Sequence, residues 1–260
     1  MSAVLADAVA TTARVVRVER IGEYQVLSLR APDIARRTLP GQFVMVEAGS
    51  LLRRPFSVFR AERDVVAVGF DVIGVGTRWL ADRALGDDLG VVGPLGSAFS
   101  LDAGPPLLAV GGGYGAAPIF LLAERLRAAG TPVHAILGAA RETRVFGADI
   151  AARTFDSVAI TTEDGTLGTR GRVTDVIADV VERTRATRIA ACGPMPMLEA
   201  ISATARELGL ACEVAVEEFM ACGIGVCWTC VVGVQTNGSV AYQRSCTEGP
   251  VFDGKAVAWG

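Results

Sequence analysis

The sequence predicts a multidomain protein of the α/β + β class, with an N-terminal antiparallel β-barrel, a doubly wound parallel-sheet domain and a small cysteine-rich C-terminal segment. Three observations indicate this order. Short runs of alternating polar and apolar residues fill the first part, strand-like and helix-like runs alternate in the middle, and four of the six cysteines lie near the end. The predicted limits of the three parts are residues 1–101, 102–212 and 213–260.

The first part has the period-two pattern of antiparallel strands. Alternating runs occupy residues 25–29, 42–46 and 65–70, and turns with glycine and proline separate them. Such punctuated short strands favour a small barrel. A single helix is expected in this part, from Thr77 to about Leu85.

The middle part alternates strand patterns with helical patterns. Strands are predicted at 107–110, 133–137, 158–161 and 188–191, and helices at 117–129, 173–183 and 196–208. This alternation is typical of βα units in a parallel sheet. The apolar stretch 105–123 has the length of a membrane span, but its glycine triplet and proline pair favour a buried strand, a turn and a helix.

Composition and charge argue against several function classes. The chain has 260 residues, of which 51% are hydrophobic and 20% charged, as in ordinary globular proteins. A net charge of −3 without basic clusters does not indicate nucleic-acid binding. His134 is the only histidine, which disfavours a histidine-rich metal site or a Ser-His-Asp triad. The N-terminus lacks the pattern of a signal peptide, so we expect a cytoplasmic protein that does not bind membranes.

The C-terminal cysteines have the spacing of iron–sulfur ligands. Cys222, Cys227 and Cys230 form C-x4-C-x2-C, and Cys246 follows after 15 intervening residues. This is the plant-type [2Fe–2S] spacing, whereas zinc sites with four cysteines usually show two close-spaced pairs. The sequence therefore predicts a [2Fe–2S] site at these four cysteines and favours it over zinc.

Two motifs in the predicted barrel indicate a flavin site. Arg54 of Arg54-Pro55-Phe56-Ser57 can bind a diphosphate through two hydrogen bonds. Gly74-Val75-Gly76-Thr77 opens a helix, where backbone N–H groups can approach a pyrophosphate. The pair resembles the FAD domain of the ferredoxin–NADP reductase superfamily. This resemblance assigns FAD contacts to Arg54, Pro55, Phe56, Ser57, Gly69, Phe70, Asp71, Gly76 and Thr77.

A glycine-rich loop and a Cys-Gly-Pro motif indicate a nicotinamide nucleotide. The run Gly111–Pro118 follows a strand and opens a helix, as a dinucleotide phosphate site requires, and its G-G-G-x-G-x-x-P form resembles the nicotinamide domain of the same superfamily. The resemblance assigns NAD contacts to Gly111, Gly112, Gly113, Gly115, Cys192, Gly193 and Pro194. A turn that is glycine-rich for steric reasons is the alternative. Arg141 and Arg144 leave the choice between NAD and NADP open.

Nearly the whole chain resembles the electron-transfer subunit of dihydroorotate dehydrogenase B. The motifs above carry the likeness, together with Gly93–Gly96, Glu217–Cys227 and Gly249–Phe252. It implies a hetero-oligomer, expected to be a heterotetramer, with an FMN-containing catalytic subunit that oxidises dihydroorotate in pyrimidine biosynthesis. Electrons would pass through the [2Fe–2S] centre and FAD of this chain to NAD⁺, and dihydroorotate oxidation would need the partner subunit.

Three residues in two places depart from the family's pattern, and two other functions stay open. Asp71 would place an acidic group near a flavin diphosphate, which is unfavourable unless it points away. Trp228 and Thr229 replace smaller residues between two cluster ligands and would reshape a face that meets a partner. The first alternative is the reductase subunit of another NAD(P)H-linked ferredoxin- or sulfur-dependent oxidoreductase. The second is a non-catalytic redox sensor, which the complete flavin and nucleotide motifs disfavour.

Overall fold

The computed structural model describes residues 8–259. Residues 1–7 and 260, which belong to the first and third predicted parts, lie outside the described residues, and so does the start of the stretch examined for a signal peptide. Within residues 8–259 the strands form a closed barrel, a seven-stranded sheet and a two-stranded sheet. No helix of that range is both long enough and apolar enough to cross a lipid bilayer. This architecture confirms the predicted fold class.

Antiparallel strands close the barrel. They are β1 (Val9–Ile21), β2 (Tyr24–Arg30), β3 (Phe43–Val46), β4 (Arg54–Glu62), β5 (Val65–Phe70) and β6 (Asp88–Leu95), in the spatial order β1-β2-β5-β4-β3-β6. Valine and leucine dominate the barrel interior, since β-branched and apolar side chains pack well on a pleated surface. Because β4 and β5 are antiparallel neighbours, the start of β4 lies beside the end of β5, and the predicted flavin residues meet at one rim.

Two short helices accompany the barrel, α1 (Pro32–Arg37) and α2 (Val75–Ala81). The prediction of one helix, from Thr77 to about Leu85, is therefore wrong in number and in limits. α1 spans six residues and buries only two of them, too few for a helical period to show in the sequence. α2 ends early because the chain turns before β6, where the Asp87 carboxylate accepts a hydrogen bond from the Ala84 N–H at 3.0 Å.

The rest of the described chain contributes nine strands and four helices. The strands are β7 (Leu107–Gly112), β8 (Val133–Ala139), β9 (Ser157–Thr162), β10 (Thr169–Arg170), β11 (Arg188–Cys192), β12 (Ala211–Ala215), β13 (Val231–Thr236), β14 (Ser239–Arg244) and β15 (Val251–Asp253). The helices are α3 (Ala117–Ala128), α4 (Ala148–Thr154), α5 (Ile177–Thr184) and α6 (Met195–Glu207). The predicted helix 173–183 is a 3-10 turn, Val173–Val176, followed by α5, and the sequence did not predict α4.

The larger sheet has helices on both faces. Its order is β10-β9-β8-β7-β11-β12-β15, with β15 antiparallel to its neighbour. Leu107 and Ala109 of β7 pack in the core with α3, whereas Leu108 and Val110 pack in the opposite core with α5 and α6. The chain runs from β7 to β8 on one side and returns to β11 on the other. This reversal opens a crevice at the carboxyl ends of β7 and β11, where open α/β sheets bind ligands.

The barrel and the larger sheet share one core. Phe59 of the barrel contacts Phe120 of α3 and Phe146 edge-on, with ring centroids 5.5 and 5.0 Å apart. A Cβ built on Gly69 would lie 2.8 Å from the Phe146 ring, so the barrel rim needs glycine at this position to accept that ring. The shared aromatic core holds the flavin rim against the nucleotide domain.

The cysteine-rich segment is built onto the other two parts. β15 adds to the edge of the larger sheet through pairs such as Val214 with Phe252. The Ser97 hydroxyl, which follows the barrel, donates to the Val251 carbonyl and accepts from the Val251 N–H, both at 3.0 Å. β13 and β14 form a separate hairpin. These contacts attach the cysteine-rich segment to the barrel and to the larger sheet. The predicted limits of the three domains stay a prediction.

Candidate functional site

The hairpin of β13 and β14 brings together Cys230 and Cys246, two of the four predicted cluster ligands. Cys222 and Cys227 lie in the loop after β12, Cys230 immediately precedes β13, and Cys246 follows β14. Because Val231 pairs with Arg244 across the hairpin, the residues just outside it also meet, and the Ser245 N–H donates to the Cys230 carbonyl at 2.8 Å. The strand pairing thus explains how a distant fourth cysteine reaches the loop.

The four thiols form two neighbouring pairs. The Cys227 N–H donates to Cys222 Sγ at 3.5 Å, and hydrogen bonds from Thr229 and then Cys222 lower the pKa of Cys227 to about 6. Burial, together with the adjacent Cys230 thiol, raises the pKa of Cys246 to about 12. Among residues 8–259, no three His, Cys, Asp or Glu side chains group closely enough to hold a metal ion. Two pairs of thiols fit the two irons of a [2Fe–2S] cluster with four cysteine ligands.

A clamp around Arg244 holds the cysteine loop. Its Nη1 donates to the Gly225 carbonyl at 2.9 Å, and its guanidinium lies 4.8 Å from the centre of the Trp228 ring. Glu248 accepts from Arg244 Nε at 3.0 Å and fixes the guanidinium from the other side. Gly225 has φ +79°, and a Cβ built there would lie 2.8 Å from Thr247, so only glycine fits under this contact. Trp228 therefore covers the clamp as well as facing solvent.

Replacing Arg244 with alanine is expected to speed iron release from the reconstituted protein to a chelator by about tenfold, because hydrogen bonds to a charged group contribute roughly 1.5–3 kcal/mol. The measurement is the rate of colour formation with an iron chelator. The exposed Lys255→Ala in the same segment is the control and should release iron at the wild-type rate. Equal rates for wild type and Arg244→Ala would contradict a clamp.

The rim of the barrel forms a cavity of about 180 Å³. Seven of the nine residues predicted to contact FAD line it, namely Pro55, Phe56, Ser57, Gly69, Phe70, Asp71 and Thr77. Its far wall comes from residues that the prediction did not assign to FAD, including Glu218 and Met220. Burial raises the pKa of Glu218. The cavity is mostly apolar with few polar groups, as a flavin ring requires.

The other two predicted FAD residues form a cradle beside this cavity. A Cβ built on Gly76 would lie 3.3 Å from Arg54 Nε and 3.2 Å from Ala48 Cβ, so a larger side chain would close the space under the guanidinium. Thr77 Oγ1 accepts from the Ile73 and Gly74 N–H groups, both at 3.0 Å, and fixes the start of α2. A glycine helix start under a guanidinium fits a diphosphate.

Asp71 is neutralised by an arginine from the nucleotide domain. Its carboxylate forms an ion pair with Arg144, whose guanidinium also lies 3.4 Å from Glu23 and over the Tyr24 ring. Arg141 binds Glu23 through its Nη2 at 2.9 and 3.0 Å. The ion pair of Asp71 with Arg144 thus joins the barrel to the nucleotide domain. Arg141 and Arg144, the two arginines that could bind a 2′-phosphate of NADP, already bind carboxylates.

The crevice at β7 and β11 forms a cleft of about 450 Å³. Gly112, Gly113, Gly115 and Pro194 of the predicted NAD residues line it, whereas Cys192 and Gly193 line the flavin cavity next to it. A Cβ built on Gly115 would lie 2.7 Å from Gly193 Cα, so the glycine loop packs directly against the Cys-Gly-Pro motif. A Cβ built on Gly111 would lie 2.5 Å from the Ala116 Cβ, so glycine at this position allows close packing below the loop. The cleft fits a dinucleotide that reaches towards the flavin cavity.

The wall shared by both cavities was not predicted from the sequence. Tyr114, Gly115 and Glu217 line the cleft and the flavin cavity alike, and the Tyr114 hydroxyl donates to Glu217 Oε1. Burial raises the pKa of Cys192, which lies in the same wall, to about 12, and nearby Glu217 adds to the rise. Glu217 and Glu218 follow the carboxyl end of β12 after Val216. Polar residues near such strand ends face ligands, so their position in the sequence could have indicated this wall.

Comparison with known proteins gives one consistent result. The model of the iron–sulfur cluster binding domain of dihydroorotate dehydrogenase B matches residues 217–258. A dihydroorotate dehydrogenase B (NAD(+)) electron transfer subunit from Desulforamulus reducens is 36% identical over 88% of this chain and 90% of its own length. The subunit of that name from Caldanaerobacter subterraneus subsp. tengcongensis is 34% identical over 92% and 95%.

Solved structures agree on the fold. The NADH-dependent reduced ferredoxin-NADP oxidoreductase has a TM-score of 0.85 at 29% identity, over 95% of this chain and 90% of the other. A ferredoxin NADP+ reductase from Neisseria gonorrhoeae has a TM-score of 0.64 at 18% identity, over 77% and 92%. The second likeness concerns the fold alone.

These matches confirm the predicted resemblance, the electron-transfer function and the flavin- and iron–sulfur-dependent oxidoreductase character. They also confirm the predicted set of FAD, an iron–sulfur cluster and NAD(H). The chain belongs to the family of dihydroorotate dehydrogenase B (NAD(+)) electron transfer subunits.

Proposed function

We propose that this chain takes electrons from an FMN-containing catalytic subunit that oxidises dihydroorotate to orotate and delivers them to NAD⁺, as a step of pyrimidine biosynthesis. A heterotetramer is the assembly that the family resemblance implies. We also propose a cytoplasmic location, where the four ligand cysteines stay reduced and available to the cluster.

The observation that carries the proposal is the continuity of the three sites. Phe43 and Met220 pack with Cys230 and Cys246 and also line the flavin cavity. At the other end of that cavity, Tyr114 and Gly115 line the nucleotide cleft as well. One row of contacts therefore leads from the cluster loop through the flavin rim to the nucleotide.

Different residues along this row would bind the cluster, the FAD and the nicotinamide coenzyme. The thiols of Cys222, Cys227, Cys230 and Cys246 would hold the cluster. Arg54 and the start of α2 would bind the FAD diphosphate, and the glycine loop would bind the coenzyme pyrophosphate beside Cys192 and Pro194. When bound, the cluster exchanges single electrons, and FAD joins that one-electron chemistry to the hydride chemistry of nicotinamide.

An apolar surface around the cysteine loop supports docking of the catalytic subunit there. Phe219, Val226, Trp228 and Tyr242 have 67, 72, 55 and 69% of their surface exposed. Large exposed apolar groups in one region are typical of protein interfaces. A partner bound on this surface would bring its flavin close to the cluster, and Trp228 would lie in the contact.

The proposal predicts a division of activity between the two subunits. The holoprotein, purified anaerobically, should reduce an artificial dye with NADH and should leave dihydroorotate unchanged. Addition of the FMN subunit should produce NADH from dihydroorotate and NAD⁺, measured by nicotinamide absorbance. Dihydroorotate oxidation by the isolated chain, or no NAD⁺ reduction with the partner present, would contradict it.

A second candidate is the reductase subunit of a ferredoxin-linked oxidoreductase. The likeness to the NADH-dependent reduced ferredoxin-NADP oxidoreductase, with a TM-score of 0.85, supports it. Titration of the reduced holoprotein with ferredoxin and with the FMN subunit separates the two functions. Fast reoxidation by ferredoxin alone would favour the second candidate.

A further inference from the structure

A side-chain hydrogen bond spans the wall between the nucleotide cleft and the flavin cavity. Its donor is the Tyr114 hydroxyl and its acceptor is Glu217 Oε1. The two residues come from different parts of the chain, since Tyr114 lies in the glycine loop and Glu217 begins the segment that binds the cluster. Both residues line both cavities, so their side chains stand where the two spaces meet.

The surroundings allow this bond to open. Tyr114 lies in a 3-10 turn between Gly113 and Gly115, and Gly113 has φ +55°. Its half-buried ring packs against the Tyr24 ring, with the ring centroids 6.0 Å apart. Burial raises the pKa of Tyr114, so its hydroxyl keeps its proton at neutral pH and remains a donor. Glu217 is exposed, so its side chain can turn into solvent without losing packing.

We propose that the Tyr114–Glu217 hydrogen bond is a latch that the nicotinamide must open to reach the flavin, and that Tyr114 is a positioning residue that sets coenzyme affinity. This inference rests on the proposed function. A dinucleotide with its pyrophosphate at the glycine loop must extend past Tyr114 to enter the flavin cavity. Both side chains stand where the two spaces meet, so a closed latch would occupy the path that the nicotinamide takes into the flavin cavity.

The latch lowers the apparent affinity for the coenzyme, because only molecules in which it is open can bind the nicotinamide at the flavin. The apparent dissociation constant equals the intrinsic constant divided by the competent fraction. Removal of the tyrosine hydroxyl keeps the ring but deletes the donor. We therefore expect Tyr114→Phe to bind NADH about five- to tenfold more tightly, because a hydrogen bond to a carboxylate is stronger than one between neutral groups. The limiting rate of flavin reduction should not fall.

The test is stopped-flow bleaching of the flavin in the anaerobic holoprotein at increasing NADH concentration. It gives the dissociation constant of NADH and the limiting rate separately. Glu217→Gln provides a second variant, in which a weaker neutral acceptor should give an intermediate affinity. The matched control is Ser239→Ala on β14, which deletes an exposed hydroxyl that donates to the Thr236 carbonyl and should bind NADH like the wild type.

The outcomes separate the latch from the proposed function. Tighter NADH binding in Tyr114→Phe and Glu217→Gln, with the control unchanged, supports the latch. Unchanged or weaker binding in Tyr114→Phe overturns it, since the hydroxyl would then be idle or would bind the coenzyme. Failure of NADH to bleach the wild-type flavin at all would instead overturn the proposed function, and the latch with it.

Discussion

Replacing Cys246 with alanine is expected to empty the cluster site while leaving a folded chain. Iron and acid-labile sulfide per chain should fall to less than about one-tenth of the wild-type content, since a [2Fe–2S] cluster needs four thiolates and metal binding is coupled to a complete ligand set. Cluster absorbance and the EPR signal of the reduced protein should disappear together. Electron transfer to or from a partner subunit should be lost with them.

The position of Cys246 explains why the loss should be complete. The residue is 1% exposed and packs with Phe43, Met45 and Cys230 beneath the loop. No water-exposed side chain can therefore move in to replace the missing thiol. The loop ends stay fixed, because β15 pairs with β12 and Ser97 binds Val251 whatever occupies the thiols.

Cys212→Ala is the matched control for this experiment. Cys212 is 3% exposed and lies outside the ligand spacing, in the core between β12 and α6. The two substitutions remove the same atom from a buried site, so their packing costs should be similar, about 1 kcal/mol. If the control lost as much iron as Cys246→Ala, or if Cys246→Ala kept its iron, these four cysteines would not be the ligand set.

The parts of the site that could be predicted from sequence are those encoded in short stretches. The cysteine spacing, the glycine loop before α3 and the Arg54–Ser57 motif each need only a few consecutive residues to be recognised. The parallel sheet could be predicted for the same reason, because the alternation of strand and helix patterns is local. Spacing and period carry this information directly.

The parts that could not be predicted depend on pairs distant in sequence. An acidic residue at Asp71 is unfavourable beside a diphosphate unless a cation neutralises it. Its partner, Arg144, lies 73 residues later in the chain, and no local pattern indicates the pairing. The Tyr114–Glu217 contact joins two motifs that lie 103 residues apart, so neither motif alone indicates it. Gly96 and Pro250 were noted only as parts of a resemblance, yet a Cβ on Gly96 would lie 2.5 Å from the Pro250 ring.

The role of Trp228 also depends on a residue that is distant in sequence. From the sequence it was a bulky residue between two ligands. In the structure it has φ +57°, and its ring packs on Arg244, which also donates to the Gly225 carbonyl. A large exposed side chain can therefore brace the loop and still face a partner subunit.

Replacing Arg54 with alanine is expected to raise the dissociation constant of FAD by roughly 10- to 100-fold. A guanidinium hydrogen bond to a phosphate belongs to the charged class, worth roughly 1.5–3 kcal/mol, and each 1.4 kcal/mol is tenfold in affinity. Arg54 stands over Gly76 at the start of α2, so its loss leaves the glycine cradle without a cation. Fluorescence quenching during titration of the apoprotein with FAD gives the constant.

The neighbouring Arg53 provides a control that changes the same charge one residue away. Its guanidinium lies near Gly90 on β6 and not over the cradle, and its side chain is exposed. Arg53→Ala should therefore keep FAD affinity within about twofold, since exposed charges interact weakly across solvent. Equal losses in the two variants would mean that general positive charge attracts FAD. A loss in Arg54→Ala alone would locate the diphosphate in the Gly76 cradle, because Arg54 borders that cradle and Arg53 does not.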